Sequence, residues 1–567
     1  MRHTIDYIRK HKFLLFIILP AFLLFMLLIF PSGTFYCFTN ACGINFWGVH
    51  GHDAIWHLAI TNVSFQKFPF IAPTYAGQSL YGYNYLFDFF SYLVAKVGFS
   101  PIFIYFKLFP VIWFVIFTVL LIVLARKIKD SSLFVGIFLF FNYFAGSFYY
   151  LIKLYREGNI NDSSTQLPQP VMLMMSNPPY AFSLIFLLLL LVLIKNRRIN
   201  LKTSLVIGFT VFTIMGLKFY GGAISIFLTG IYLTLAYLLK DLKRYLVSIL
   251  ILGIFTLLSV IFFYNPTQSL KSGSIFGFAP FALVHTITEM PNQFYLQNLT
   301  DARYYLVEHG VGPRLIGIEA LNLTIFLFFY LGTRFFGFFY IFYLFLKRKL
   351  NLFDFSVILT ICFSILLSIT LVQKAEWWNT IQFFYYAIFL STIYLARLTY
   401  SLITAKKILF KLIAILILVL SIPTSYDMVK FYLATPGATY LPKEELEALE
   451  FLKKQPQGVV LTPLYKNEWK NLTNPKPLYA YEDTAYVAAF SNKQEYFANE
   501  LQLRLTGVAY EKRLEKLRQM DCSILKEVNY VYEIKQLRDE DKIVMKCNPA
   551  NIKTIYHNKK IIIYTLL

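Results

Sequence analysis

Charge is scarce in this sequence. Only 15% of its 567 residues are Asp, Glu, Lys or Arg, whereas 57% are hydrophobic. Soluble domains carry about a quarter charged residues, so a string of soluble domains is excluded. Acid is the rarer sign, with 31 Asp and Glu against 53 Lys and Arg. Cysteine is rarer still, at five residues, and no internal repeat or low-complexity tract is present. No small-residue cleavage site follows the apolar run Phe13 to Phe30, which therefore reads as an uncleaved first helix rather than a removed signal.

What is abundant is apolar and aromatic. The 59 Phe and 41 Tyr suit helices that face lipid and anchor at its interface. Apolar runs long enough to span a bilayer predict about eleven helices, at 12–31, 101–125, 132–151, 177–195, 203–217, 220–239, 245–264, 321–346, 353–372, 379–397 and 408–424. Gly216, Gly221 and Gly222 surround the fifth junction and suggest a tight hairpin around Lys218.

The net charge of +22 would suit a nucleic-acid partner, but its distribution points elsewhere. Six short clusters (Arg2 to Lys12, Arg126 to Lys129, Lys195 to Lys202, Lys240 to Arg244, Lys347 to Lys349 and Arg397 to Lys411) hold 21 Lys and Arg. The alternating loops before the tail hold nine, including Lys218, Lys271, Arg303, Arg314 and Lys374. This is the positive-inside pattern, so charge reports orientation and no nucleic acid is implied. The N-terminus is expected in the cytoplasm and, with an odd number of spans, the tail outside.

The expected fold class is an all-α multi-pass membrane protein with a small α/β domain at its C-terminus. Residues 1–424 form the membrane part, with a long outer loop at 31–100, and residues 425–567 the extracytoplasmic domain. In that loop Tyr83 to Val97 has helical periodicity, interrupted by Asp88 and Lys96, and reads as a helix on the membrane surface. In the tail, Glu444 to Lys454 reads as a helix opened by Pro442. Strands are expected at Gly458 to Leu461, Tyr530 to Ile534, Ile543 to Lys546 and Thr554 to Tyr564, the last turning at Asn558 and Lys559. Cys37 with Cys42, and Cys522 with Cys547, could form disulfides on an oxidising face or stay as free thiols.

Ionisable groups concentrate in the outer loops. The densest cluster is His50-Gly51-His52-Asp53-Ala54-Ile55-Trp56-His57, where Asp53 and His57 are spaced to share a helix face. Three readings of it stay open. His50, His52, Asp53 and His57 could hold a divalent metal. Asp53 could be a general base tuned by its histidines. Or the segment is a structural turn.

The segments Gly51 to His57 and Tyr83-Asn84-Tyr85-Leu86-Phe87-Asp88, a first span followed by a long outer loop with an early Asp, and the outer tail together resemble the GT-C superfamily of membrane glycosyltransferases. Protein O-mannosyltransferases and aminoarabinose transferases belong to it. Relatives with two adjacent acids in this loop differ from this chain, which has Asp53 alone. The resemblance implies transfer of a sugar from a polyprenyl-phosphate donor to a glycan, lipid or protein acceptor at the outer face, with no cofactor required. Asp53 would be the base of an inverting displacement, with Asp88, His52 and His57 around it. Lys218, Arg314 and Lys374 are the candidate cations for the donor phosphate. Lys218 could equally snorkel to the interface. Trp377, Trp378, Asn379 and Gln382 could contact sugar or carrier, although paired Trp also forms interfacial belts. A transporter or flippase of lipid-linked glycans is the alternative. Such proteins place carboxylates at the membrane midplane, where the predicted helices have none.

Overall fold

The computed structural model describes residues 2–38, 41–164, 175, 177–195, 199–240, 243–265, 275–434, 436–547 and 551–566. Lys271, Arg197 and Arg198, three of the cations weighed above, lie outside the described residues. Among the described residues, nine helices are long and apolar enough to cross a membrane: Lys12–Ile29, Pro101–Ile128, Pro178–Lys195, Phe219–Leu239, Tyr245–Tyr264, Pro313–Leu346, Leu352–Thr370, Trp377–Ile403 and Ile408–Leu433. This is a multi-pass membrane protein. The other two expected spans are helical but are not single rods of that length. The third is a pair, Ser132–Phe144 and Tyr149–Glu157, bent by 52°. The fifth, Leu201–Leu217, has 17 residues. At about 1.5 Å per residue it falls a little short of a ~30 Å hydrocarbon core.

The chain divides into two compact units. One comprises Met1–Phe25, Trp113–Ser259 and Phe276–Leu433; the other comprises Met26–Ile112, Val260–Ile275 and Ala434–Leu567. The long loop after the first span and the tail thus belong to the same unit.

In the first unit, Arg334 is a buried cation. It sits in a 3-10 break, Gly332–Phe336, between helices Pro313–Leu331 and Gly337–Leu346. Its side chain is 2% exposed. Its guanidinium donates to the carbonyls of Ala145 at 2.9 Å and of Phe141 and Gly146 at 3.4 Å, and to Thr392 Oγ1 at 2.9 Å. Those carbonyls end helix Ser132–Phe144, where they carry the negative end of the helix dipole; that of Phe141 also accepts from the Ala145 amide. A buried cation is therefore paired with dipoles rather than with an acid. Arg314, expected in a loop, lies in the first turn of Pro313–Leu331, because Pro313 is suited to opening a helix. At the fifth junction the chain breaks at Lys218, between Leu201–Leu217 and Phe219–Lys240. A Cβ on Gly222 would meet Met215 Sδ at 2.0 Å, so this close turn requires glycine.

In the second unit, the loop hairpin Thr34–Phe38 and Ala41–Phe46 extends antiparallel onto Thr439–Pro442 of the tail, which pairs in parallel with Lys476–Pro477. Cys37 and Cys42 are opposite each other in the hairpin and form a disulfide. A second sheet runs in the order Ile552–His557, Ile561–Leu566, Tyr530–Ile534, Val459–Leu461, Gln494–Glu495. Asn558 makes the hairpin turn, its Oδ1 accepting from the amides of Lys560 and Ile561. Helix Lys443–Lys454 buries Glu445, Ala448, Leu449 and Leu452, one face at helical spacing. Leu461, Tyr496, Phe497, Leu503, Leu514, Ile524 and Val531 form a core beside it.

One expected strand is a helix. Ile543–Cys547 is helical because Glu533 Oε1 accepts from the Val544 amide at the helix start, and Cys547 is tied to Cys522 by a disulfide. A short apolar run does not reveal its period, and capping decided it.

Candidate active site

Asp53 is the first residue of helix Asp53–Val63, which follows a 3-10 turn at Gly48–Gly51. Gly51 serves close approach: a Cβ there would meet Thr439 Cγ2 at 2.2 Å. The helix is buried along most of its length, from Ala54 to Thr61, and packs on helix Tyr486–Ser491 of the tail. Asn62 donates to the Ala489 carbonyl at 2.7 Å. The consequence is a platform from whose first turn Asp53 reaches out, with 39% of its side chain exposed. A first-turn carboxylate is favoured by the helix dipole.

The four motif residues have distinct partners. His52 Nδ1 is 2.9 Å from Asp53 Oδ1, and His52 Nε2 is 3.8 Å from Glu482 Oε2 of the tail. Burial disfavours the His52 imidazolium, but the Asp53 hydrogen bond and the surrounding carboxylate charges outweigh it and raise the pKa. His57 Nδ1 is 2.8 Å from Asp88 Oδ1. Asp88 was expected on a surface helix. Its helix, Leu86–Lys96, instead turns this carboxylate fully inward, and burial raises its pKa while His57 pulls it back. His50 is 1% exposed and its Nδ1 is 2.7 Å from Ser32 Oγ; burial lowers it to about 4, so it is neutral. Among the described residues, no three His, Cys, Asp or Glu are grouped to hold a metal ion.

The candidate donor residues lie in the other unit. Lys218 is 9% exposed; its Nζ is 3.5 Å from Asn177 Oδ1 and 6.0 Å from the Tyr220 ring centre. The Tyr220 hydroxyl donates to Gln373 Oε1 at 3.0 Å, Asn379 donates to the same oxygen at 2.6 Å, and Gln382 donates to Asn379. Lys218, Asn379 and Gln382 are thus linked through Tyr220 and Gln373. Arg314 and Lys374 are exposed and stand outside this chain of contacts. Trp377 and Trp378 are 41% and 49% exposed, and Trp378 donates to Glu376 at 3.0 Å.

Sequence reasoning missed Glu482, Tyr220 and Gln373. Tyr and Gln beside apolar runs look like ordinary interfacial residues. Glu482 lies far along the chain in a tail with many acids, and no spacing rule connects it to His52.

A multi-pass helical membrane part and an α/β tail give a fold that solved structures share. The archaeal oligosaccharyltransferase AglB from Archaeoglobus fulgidus, in complex with an inhibitory peptide and a dolichol-phosphate, superposes with a TM-score of 0.51 at 11% identity, over 93% of this chain and 70% of that one. The apo form of the Archaeoglobus fulgidus oligosaccharyltransferase gives 0.51 at 11% identity, over 92% and 69%. At this identity the likeness is one of fold. No protein-family model matches the chain, and no curated protein matches it.

Proposed function

We propose that this chain is a membrane glycosyltransferase that moves a sugar from a polyprenyl-phosphate donor to an acceptor at the outer face, with Asp53 as general base. The observation that carries this reading is the half-exposed Asp53 carboxylate, held at 2.9 Å by His52 on a buried helix. In the reaction the acceptor hydroxyl gives its proton to Asp53 while its oxygen bonds to the anomeric carbon. The carbon–oxygen bond to the carrier breaks, and the phosphate departs as an anion. A phosphate leaves without needing an acid, so one carboxylate suffices, and attack opposite the carrier inverts the centre. The fold neighbour was solved with dolichol-phosphate, which supports a lipid-linked donor here. Lys218, in its polar surroundings, is assigned to the donor phosphate, and the two disulfides support an outer location for loop one and the tail.

The test is sugar transfer by purified Asp53→Asn protein. A loss of about a hundredfold or more is expected, with folding intact. Wild-type transfer by the variant would remove Asp53 as the base. Movement of intact lipid-linked sugar across vesicles, with no carrier phosphate released, would favour the flippase reading instead.

A further inference from the structure

The tail carries a second recess in the same unit as Asp53. It has a volume of about 30 Å³, and Tyr465, Trp469, Tyr479, Glu482, Thr484 and Glu495 are among its walls. Trp469 stands edge-on to both Tyr465 and Tyr479, with ring centres 5.9 Å apart in each case, forming an aromatic corner. Glu482 connects this recess to the candidate base, through His52 at 3.8 Å and on to Asp53 at 2.9 Å.

Three wall hydroxyls find no hydrogen-bond partner among the described residues: those of Tyr486, of Tyr465 and of Thr484, which is 5% exposed. The Tyr486 hydroxyl sits beside Glu445 and Tyr532, which leaves Thr484 and Tyr465. Buried hydroxyls are ordinarily satisfied, so these two on one recess point to a ligand that completes them. The chemistry of the walls narrows its class. No Lys or Arg lines the recess, which excludes an anion. The three wall acids do not make it a cation trap either, since Glu482 already faces His52 at 3.8 Å. Asp483 accepts from the amides of Asn499 and Glu500, and Glu495 accepts from the Ala488 amide and the Thr462 hydroxyl. Burial pushes Glu495 up to about 8, so it is uncharged at neutral pH. What remains is a neutral ligand with both donors and acceptors and an apolar face to lie on aromatic rings. The volume admits a small polar arm rather than a whole ring, since one water needs about 10–15 Å³ on this measure.

We infer that this recess is the acceptor subsite and that it takes a neutral, hydroxyl-rich carbohydrate, a hydroxylated arm entering between Thr484 and Tyr465 while its ring lies against Trp469. The inference rests on the proposed transferase reading for the word acceptor, but the binding itself does not depend on transfer. The experiment uses the full-length protein in nanodiscs on an array of neutral, amino-bearing and acidic oligosaccharides and of peptides. The best neutral glycan is then titrated by tryptophan fluorescence. Saturable binding of neutral glycans is expected, weakened roughly tenfold in the Tyr465→Phe, Thr484→Val double variant, which removes only the two hydroxyls. Trp469→Ala should weaken it further. Thermal melts confirm that each variant is folded. Binding confined to amino-bearing or acidic glycans or to peptides, no glycan binding, or unchanged affinity in the double variant would overturn the inference. Binding without any detectable transfer by the wild type would instead count against the proposed function and leave the subsite standing.

Discussion

The His57 imidazole and the Asp88 carboxylate meet at 2.8 Å with side-chain exposures of 7% and 0%. They tie helix Asp53–Val63, which carries the candidate base, to helix Leu86–Lys96 across the long loop that follows the first span. A pair this deeply enclosed is expensive to break from one side, because the remaining group stays buried without its partner. Asp88→Ala should therefore cost about 3–5 kcal/mol. Asp88→Asn, which keeps an oxygen in place, should cost less. Chemical denaturation monitored in detergent checks both. Asp88→Asn should also retain far more transfer activity than Asp53→Asn, since Asp88 is enclosed and acts by positioning.

Lys218 and Gln373 give a second test. Lys218→Met removes the charge assigned to the donor phosphate while keeping the length of the chain. The apparent KM for the lipid donor should rise by about tenfold or more, as loss of a charge-assisted hydrogen bond does. The KM for the acceptor should stay put. Gln373→Leu, which strips Tyr220 and Asn379 of their shared acceptor, should move the donor KM in the same direction by less. Equal changes for donor and acceptor would leave Lys218 a structural lysine.

Glu495 makes the tail sensitive to pH. Its ordinary value is 4.5, and burial pushes it to about 8 in the folded chain. Between those values the folded state holds a proton that the unfolded state has released. Stability therefore falls as pH rises from about 4.5 to about 8, and levels off above that. Glu495→Gln should remove its share of this slope, leaving that of Glu445, which burial raises to about 7, and at pH 7 should stabilise the tail by on the order of 3 kcal/mol. Hydrogen exchange of the Val459–Leu461 and Tyr530–Ile534 amides at several pH values reads the effect directly.

Orientation is tested by impermeant thiol labelling of intact cells. Cys362 is the one unpaired cysteine among the described residues and is exposed, so Cys362→Ala is the background. Lys454→Cys, at the exposed end of the tail helix, should label, and Lys347→Cys should not. The opposite result would invert the arrangement read from the basic clusters.

The membrane character of the chain was determined by sequence alone, because an apolar run of about twenty residues has few other places to go. All eleven apolar runs expected to span are helical. The tail helix and the strands at Val459–Leu461 and Tyr530–Ile534 were also legible, since each has one buried face and a clear period. Asp53 stood out through its dense histidine neighbourhood. The bend after Phe144, the break at Arg334 and the helix at Ile543–Cys547 were not legible. Each depends on a hydrogen bond from elsewhere in the chain: Arg334 on the carbonyls beyond Phe141, and Glu533 on the Val544 amide. Tertiary structure alone chose Asp88 as partner of His57 and Glu482 as neighbour of His52, and it gathered Tyr220, Gln373 and Asn379 beside Lys218. The physical reason is that apolar burial follows local composition and period, which a sequence displays. The pairing of polar groups follows three-dimensional distance, which arises only when remote segments such as loop one and the tail are packed into one unit.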